Sequence, residues 1–244
     1  MNIVIPMAGR GSRFADVGFD LPKPLIPVNG RPLYAWATEC MPLDLATRLV
    51  FVCLREHLDH HPLAEDIRTR FGDLDPVIVA LDGVTDGQLC TVLETRDHLV
   101  DGGLAIYNAD TYCRAHLGET LAADPDLDGV IGVFEADGDH WSFARLDDTG
   151  IVVETAEKRR ISPWATTGLY HFADVAQFLA AADAMIAADE RTRGEFYVAP
   201  LYNRLIADGA RIGVDVADQV IPLGTPEELE QNASALPDTA GGSR

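Results

Sequence analysis

The chain has 244 residues, 47% of them hydrophobic, with 19 lysines and arginines against 39 aspartates and glutamates and a formal charge of −20. That length suits one domain with a sizeable core; the charge, offset by no basic stripe, excludes long-range attraction to nucleic acid or an anionic membrane surface. No apolar run approaches membrane-spanning length and MNIVIPMAGRG has no basic region ahead of its apolar stretch, so the sequence predicts neither a membrane span nor a signal peptide and reads as cytoplasmic.

Asn2 to Pro6, NIVIP, is a short apolar run rich in β-branched residues that stops at a glycine-rich turn, the pattern of a buried strand in a parallel sheet. Leu49 to Leu54, Pro76 to Leu81 and Gly103 to Tyr107 repeat it, and Arg31 to Cys40, His57 to Phe71 and Gln88 to Leu99 carry helical patterning between them. The alternation predicts right-handed βαβ units, hence a three-layer α/β fold with a mostly parallel, Rossmann-like sheet. Ligands of such sheets sit at the carboxyl ends of the strands. Beyond about residue 125 short strands follow, GVIGVFEA, WSFARLDD, GIVVET and WATTGLYHF, with a turn at Asp147 to Gly150, which predicts a β-hairpin-rich insertion. Helices return at Asp174 to Ala188 and Glu195 to Asp208, and Arg211 to Val216 and Gln219 to Leu223 read as strands. GTPEELE then opens a helix with Thr225 as its cap and Glu228 three residues on. A single domain over 1–232 and a flexible tail over 233–244 are expected. Cys40, Cys53, Cys90 and Cys113 lie far apart without CxxC spacing, which disfavours a zinc ribbon or disulfide scaffold and leaves most of them as buried filler.

Three stretches carry chemistry. Ala8-Gly9-Arg10-Gly11-Ser12-Arg13-Phe14 follows the first strand; its glycines let the backbone approach a ligand and aim N–H groups at phosphate oxygens, and Arg13 can clamp one, although such a turn also serves as a plain tight connection. Lys23 follows, flanked by Pro22 and Pro24, which fix φ and predict a stiff extended segment that aims the ammonium, or an ordinary solvated loop. LAIYNADTYC, Leu104 to Cys113, ends a strand in Asn108 and Asp110, where a carboxylate can bind Mg²⁺ bridging phosphates or merely form a turn or cap. Lys158, in AEKRRIS, is the one lysine besides Lys23 in the chain.

Taken together, AGRGSRF and PKPLIPVNGRP resemble the opening of the nucleotidylyltransferase family that makes nucleotide sugars and related activated head groups, AGxG[ST]R followed by PKPL. DGVTDGQLCTVL looks like that family's base-binding loop, YNADTY its metal-binding strand end, AEKRRISPWATTGLYHF its E-K to T-G segment, and GEFYVAPLYNRLI with LGTPEEL its closing elements, over roughly residues 2 to 230. The resemblance implies a Mg²⁺-dependent transfer of a nucleotidyl group from CTP, UTP or dTTP to a phosphorylated small acceptor, with release of pyrophosphate. It implies a nucleotide-binding half of about 1–125 and an acceptor-binding half of about 126–232. Ala8, Gly9, Arg10, Gly11, Ser12, Arg13, Lys23, Gly87, Gln88 and Asn108 would meet the nucleotide, Asp110 the metal, and Lys158, Thr167, Gly168, Glu195 and Tyr197 the acceptor, with Arg13, Lys23 and Lys158 catalytic. Lysine suits the reacting phosphate, because a compact ammonium follows an oxygen as charge builds on it where a planar guanidinium prefers a fixed two-pronged partner.

One position departs from the pattern: the family commonly has D-x-G-T-P late in the chain, and here Pro222 stands in place of that aspartate, leaving Asp215, Asp218 or Glu195 as substitutes, or Asp110 alone with substrate oxygens and water. No hexapeptide-repeat segment follows, so a single activity is expected, and the short chain looks more like the compact capsule, choline-phosphate and phosphonate-type cytidylyltransferases than the longer hexose-1-phosphate enzymes. Such enzymes are often homo-oligomers, though no exposed apolar stripe names an interface. A glycosyltransferase on the related fold would want a DxD motif, which Asn108-Ala109-Asp110 imitates poorly; a non-catalytic nucleotide sensor is the reading from another class. His57, His60 and His61 read as a solvated helical face, and Trp36, Trp141 and Trp164 as core or pocket wall, with Trp164, between Lys158 and Thr167, the first candidate for the pocket.

Overall fold

The computed structural model describes residues 1–237. β1 (Asn2–Pro6) runs into α1 (Ser12–Asp16); β2 (Pro27–Val28) and β3 (Arg31–Pro32) form a small hairpin before α2 (Leu33–Thr38) and β4 (Arg48–Leu54). α3 (Arg55–His60), α4 (Leu63–Phe71), β5 (Val77–Leu81), α5 (Gln88–Leu93), β6 (Leu104–Ile106), β7 (Thr111–Arg114), α6 (Leu117–Ala123) and β8 (Gly129–Glu135) follow. The second half adds β9 (Ser142–Leu146), β10 (Val152–Glu157), β11 (Trp164–Phe172), α7 (Val175–Ala187), α8 (Tyr202–Ala207), β12 (Ile212–Val216), β13 (Gln219–Pro222) and α9 (Pro226–Asn232).

Strand parity decides the layers. Val4, Val50, Val52, Leu104 and Ile106 point to one face, where α5, α7 and α8 bring Leu89, Phe178, Met185 and Tyr202. Ile3, Ile5, Leu49, Phe51 and Ala105 point to the other, against Tyr34 of α2 and Leu63, Ile67 and Phe71 of α4. Because both faces are covered, these strands read as continuous apolar runs rather than alternating ones. The nine-stranded sheet runs β10-β9-β11-β6-β1-β4-β5, with β8 paired to β11 and β12 to β8. β1, β4, β5 and β6 are parallel, while β11 meets β6, β8 and β9 antiparallel, so the hairpin of β9 and β10 extends the same sheet at its edge. A third, smaller cluster joins Phe14, Ile26, Val28, Leu33 and Trp36 to Ile221, Leu223 and Leu236, and so clamps the AGRGSRF and PKPL segments onto the GTPEEL turn.

Helix boundaries differ from expectation where non-local bonds or proline intervene. Arg31 pairs with Val28 across a turn in which Asn29 and Gly30 both have positive φ, so the helix expected from Arg31, α2, begins only at Leu33. The span from His57 to Phe71 is two helices, because His61, preceding Pro62, is held extended at φ −137° and ψ 154°. The α5 segment stops at Leu93 and continues as a 3₁₀ turn over Arg96–His98, where the Thr95 hydroxyl takes up the Val92 carbonyl at 2.7 Å. Glu195 to Val198 is not helical: Phe196 N–H donates to the Asp86 carbonyl at 2.8 Å and its own carbonyl accepts from Leu89 N–H at 3.0 Å. Ala233–Ala235 form a further 3₁₀ turn and Leu236 is buried, so ordered chain extends past 232; residues 238–244 of the expected tail lie outside the described residues.

Candidate active site

In the sheet, the strand order reverses between β1 and β6, with β4 and β5 lying beyond one and β11 beyond the other, and loops diverge there from the carboxyl ends of both strands. A cleft of about 410 Å³ opens at this point, lined by Pro6 and Met7 at the end of β1 and by Asn108 and Asp110 after β6. Gly9, Gly11, Lys23, Gln88, Thr167, Gly168 and Tyr197 also line it.

Lys23 reaches this cleft from a 3₁₀ turn over Lys23–Leu25, not from an extended segment. Pro24 tolerates the turn, since its fixed φ fits and its missing N–H is not called on; Leu25 N–H donates to the Pro22 carbonyl at 2.8 Å and Ile26 N–H to the Lys23 carbonyl at 3.2 Å. The ammonium donates to Asp110 Oδ2 at 2.5 Å and to the Gly224 carbonyl at 3.0 Å, and both charged side chains are about one-quarter exposed. One positive and one negative charge therefore meet in the cleft, partly screened from water.

The corner beside them is built from three distant segments. Gln88, the first residue of α5, donates from Nε2 to Asn108 Oδ1 at 2.6 Å. β11 bulges between Thr166 and Tyr170, which brings Gly168 against the Asn108 side chain. Gly87 caps α5 beside the Phe196 backbone, so the loop before α5 and the segment ending in Tyr197 are tied together.

His140, Trp141, Ser142, Glu157 and Tyr170 line the cleft as well, and none of them is among the site residues expected from the sequence. Ser142 and Glu157 face each other across the hairpin of β9 and β10, and the serine hydroxyl donates to Glu157 Oε2. Burial pushes the Glu157 carboxyl above its ordinary range, against the opposing pull of the Ser142 hydroxyl and the Lys158 ammonium. Burial and the neighbouring Glu157 hold the Tyr170 phenol up at about 12, so it stays a neutral donor. Glu157 and Tyr170 had a signal, as the ends of the E-K to T-G segment, and Trp141 reads from the sequence as core or pocket wall; Ser142 had none, because only the strand pairing places it here.

Lys158 lies one residue beyond Glu157. Its φ of 51° turns the chain so that Nζ donates to the Tyr197 hydroxyl at 2.5 Å and sits 4.5 Å from that ring's centroid. Tyr197 in turn donates to Glu195 Oε2 at 2.5 Å, and burial together with that carboxylate raises its phenol. Lys23 and Tyr197 thus line one cleft, with Lys158 joined to it through the tyrosine.

Other expected site residues fall elsewhere. Ala8 is buried in the core. Arg10 lines a separate cavity of about 420 Å³ with Leu54, Glu56, His57, Leu81 and Asp82, because the turn after β1 sends its side chain over the ends of β4 and β5. Ser12 and Arg13 are exposed in the first turn of α1. Trp164 packs against the core, and Trp141 takes the place in the cleft expected of it. Asp215 and Asp218 do not replace the missing carboxylate: Asp215 is buried and accepts the His116 N–H with both oxygens at 3.0 Å, and Asp218 faces His116 Nε2 at 3.1 Å. Among the described residues no three histidine, cysteine, aspartate or glutamate side chains gather as a metal-binding group.

No family model matches the chain. The nucleoside-diphosphate-sugar pyrophosphorylase of Vibrio cholerae superposes with a TM-score of 0.83 over 95% of this chain and 99% of its own, at 31% sequence identity. The chain belongs to the nucleotidylyltransferase family. Consistent with that, this nucleotidylyltransferase is 23% identical to the UTP–glucose-1-phosphate uridylyltransferase AglF of Haloferax volcanii, over 97% of its length and 96% of AglF. The inositol-1-phosphate CTP transferase of T. maritima shares its fold, with a TM-score of 0.73 over 96% of the chain at 14% identity and 94% of that structure. As a nucleotidylyltransferase the protein is an enzyme, and its fold is the mostly parallel α/β sheet of that family.

Proposed function

We propose that the enzyme transfers a nucleotidyl group from a pyrimidine nucleoside triphosphate, CTP, UTP or dTTP, to a sugar phosphate, with Mg²⁺ as cofactor and pyrophosphate as the product that leaves. The observation that carries this reading is the Lys23–Asp110 pair in a cleft whose lining combines glycine backbone with hydroxyls, aromatic rings and a further carboxylate. UTP in the name of AglF and CTP in that of the T. maritima enzyme support a pyrimidine triphosphate.

In-line attack by an acceptor phosphate on the α-phosphorus brings two anions together, so the work of the protein is to hold them collinear and to offset their charge. No covalent nucleophile is needed. Gly9 and Gly11 allow the triphosphate close to the backbone, Gln88 and Asn108 present amides to the base or ribose, and Lys23 neutralises the phosphate under attack. Lys158, steadied by Tyr197, meets the acceptor phosphate, and Thr167, Gly168, Tyr170 and Glu157 meet its hydroxyls. Asp110 suits Mg²⁺, which commonly takes one carboxylate, substrate oxygens and water; when bound it supplies charge neutralisation on the triphosphate.

Pyrophosphate release across a panel of triphosphates and of phosphorylated acceptors, choline phosphate included, tests the reading. Release that needs a pyrimidine triphosphate, a sugar phosphate and Mg²⁺ together is the expected result. Release with choline phosphate alone would move the acceptor class, and release with no acceptor dependence would refute transfer.

A further inference from the structure

Lys23 Nζ is held by two oxygens, the Asp110 carboxylate at 2.5 Å and the Gly224 carbonyl at 3.0 Å. Oxygens converging on one point, one of them charged, are also what a hard divalent cation asks of a protein. The carbonyl is aimed from both sides. Gly224 N–H and Thr225 N–H both donate to Glu228 Oε2, at 2.9 and 3.1 Å, and Leu223 N–H donates to the Asp110 carbonyl at 2.9 Å. Glycine at 224 permits the approach, since a Cβ there would lie 3.1 Å from Asp110 Oδ2. Pro222 supplies no side-chain oxygen, so a main-chain oxygen stands beside the aspartate instead.

We propose that Asp110 and the Gly224 carbonyl form a cation-exchange site, filled by the Lys23 ammonium in the free enzyme and yielded to a divalent cation only when that cation arrives on a triphosphate. The inference rests on the nucleotidyl-transfer reading above. Charge balance sets the order of events. A bare divalent cation entering the pair would leave Lys23 unpaired beside a site that already carries excess positive charge. A cation bound to triphosphate brings its own anionic oxygens, and the displaced ammonium moves onto them without losing a partner. Lysine fits the exchange, because its single rotatable ammonium can leave one oxygen for another, whereas arginine would grip Asp110 with two parallel bonds.

Mn²⁺ binding in the absence of nucleotide, followed by electron paramagnetic resonance, tests this on wild type, Lys23→Met, and Lys23→Met combined with Asp110→Asn. Methionine keeps the apolar stem, and a thermal melt confirms that each variant folds. The expected result is a gain in Mn²⁺ affinity of about tenfold or more in Lys23→Met, equivalent to about 1.4 kcal/mol, and loss of that gain in the double variant. Equal affinity in Lys23→Met and wild type, or a gain that survives Asp110→Asn, overturns the proposal. Wild type offers a second measurement, since ¹³C-labelled lysine gives two Cε signals in a chain with two lysines. The Lys23 signal is expected to stay in place with Mg²⁺ alone and to shift with Mg²⁺ plus inorganic tripolyphosphate; an equal shift with Mg²⁺ alone refutes the exchange. Pyrophosphate release is scored separately, so a failed exchange with intact transfer and an intact exchange with no transfer are distinguishable outcomes.

Discussion

At the scale of single residues, the two lysines are placed for different tasks. Lys23 is in the cleft and paired with Asp110, whereas Lys158 stands behind Tyr197, its ammonium against both the hydroxyl and the ring. A cation over an aromatic face keeps a fixed direction at small cost, which suits a charge that must wait for an acceptor phosphate. Lys23→Ala and Lys158→Ala are each expected to lower kcat by about 100-fold or more, the scale of losing a contact to charge that develops in the transition state. Lys23→Arg is expected to restore little of it, since the guanidinium keeps charge but not the freedom to change partners. Steady-state kinetics on variants with wild-type melting curves check both, and a variant with wild-type kcat removes its lysine from the chemistry.

At the scale of elements, the site depends on a junction between the start of α5 and the segment of Glu195 to Val198. Gly87 makes that junction possible: its φ is 120°, and a Cβ there would run into the Phe196 carbonyl and lie 2.7 Å from the Phe196 nitrogen. Gly87→Ala therefore has both a strained backbone and a collision with main chain, and neither is relieved by a side-chain rotation. A loss of roughly 2 kcal/mol or more is expected, which in a chain of this size lowers Tm by about 5 °C; the acceptor KM should rise with it, because Tyr197 and Lys158 move with the segment. Calorimetry and acceptor titration decide, and an unchanged Tm would mean the junction opens freely. The same junction explains what the sequence made legible. Strands of continuous apolar residues, the capping box of Thr225 and Glu228, and the turn at Asp147 to Gly150 are local and were readable. GEFYVAPLYNRLI has helical patterning throughout, yet its first residues bond to Asp86 and Leu89 about a hundred positions away, and local pattern carries no trace of that. Trp141 and Ser142 enter the cleft for a like reason, through the pairing of β9 with β10 and β11. Arg10 lies beside another cavity because the turn after β1 has two sides, and the motif names the turn without naming the side.

At the scale of the whole molecule, β11 joins the parallel and antiparallel parts of the sheet, and His171 lies within it, paired to Ala105 of β6 and Val130 of β8. The imidazole is 4% exposed and its Nδ1 has no hydrogen-bond partner among the described residues. Burial, and then the positive charge of the amino terminus, lower its pKa from 6.5 to about 4. The unfolded chain therefore takes up a proton on this ring at a higher pH than the folded chain does. Stability from the neutral ring is complete above about 6.5 and is lost as pH falls through that value toward about 4, by roughly 3 kcal/mol in all. The His57 pKa is lowered in the same direction by burial, while the buried carboxyls of Glu157 and Asp215 are raised and act oppositely, losing stability as pH rises above the usual carboxylate range. Stability is thus expected to fall between pH 7 and pH 4.5 in wild type, and less steeply in His171→Leu, which removes the titrating ring and leaves no unpaired polar atom. Urea midpoints across that range make the measurement. Parallel pH profiles for the two proteins would show that the ring is not held neutral at the centre of the sheet.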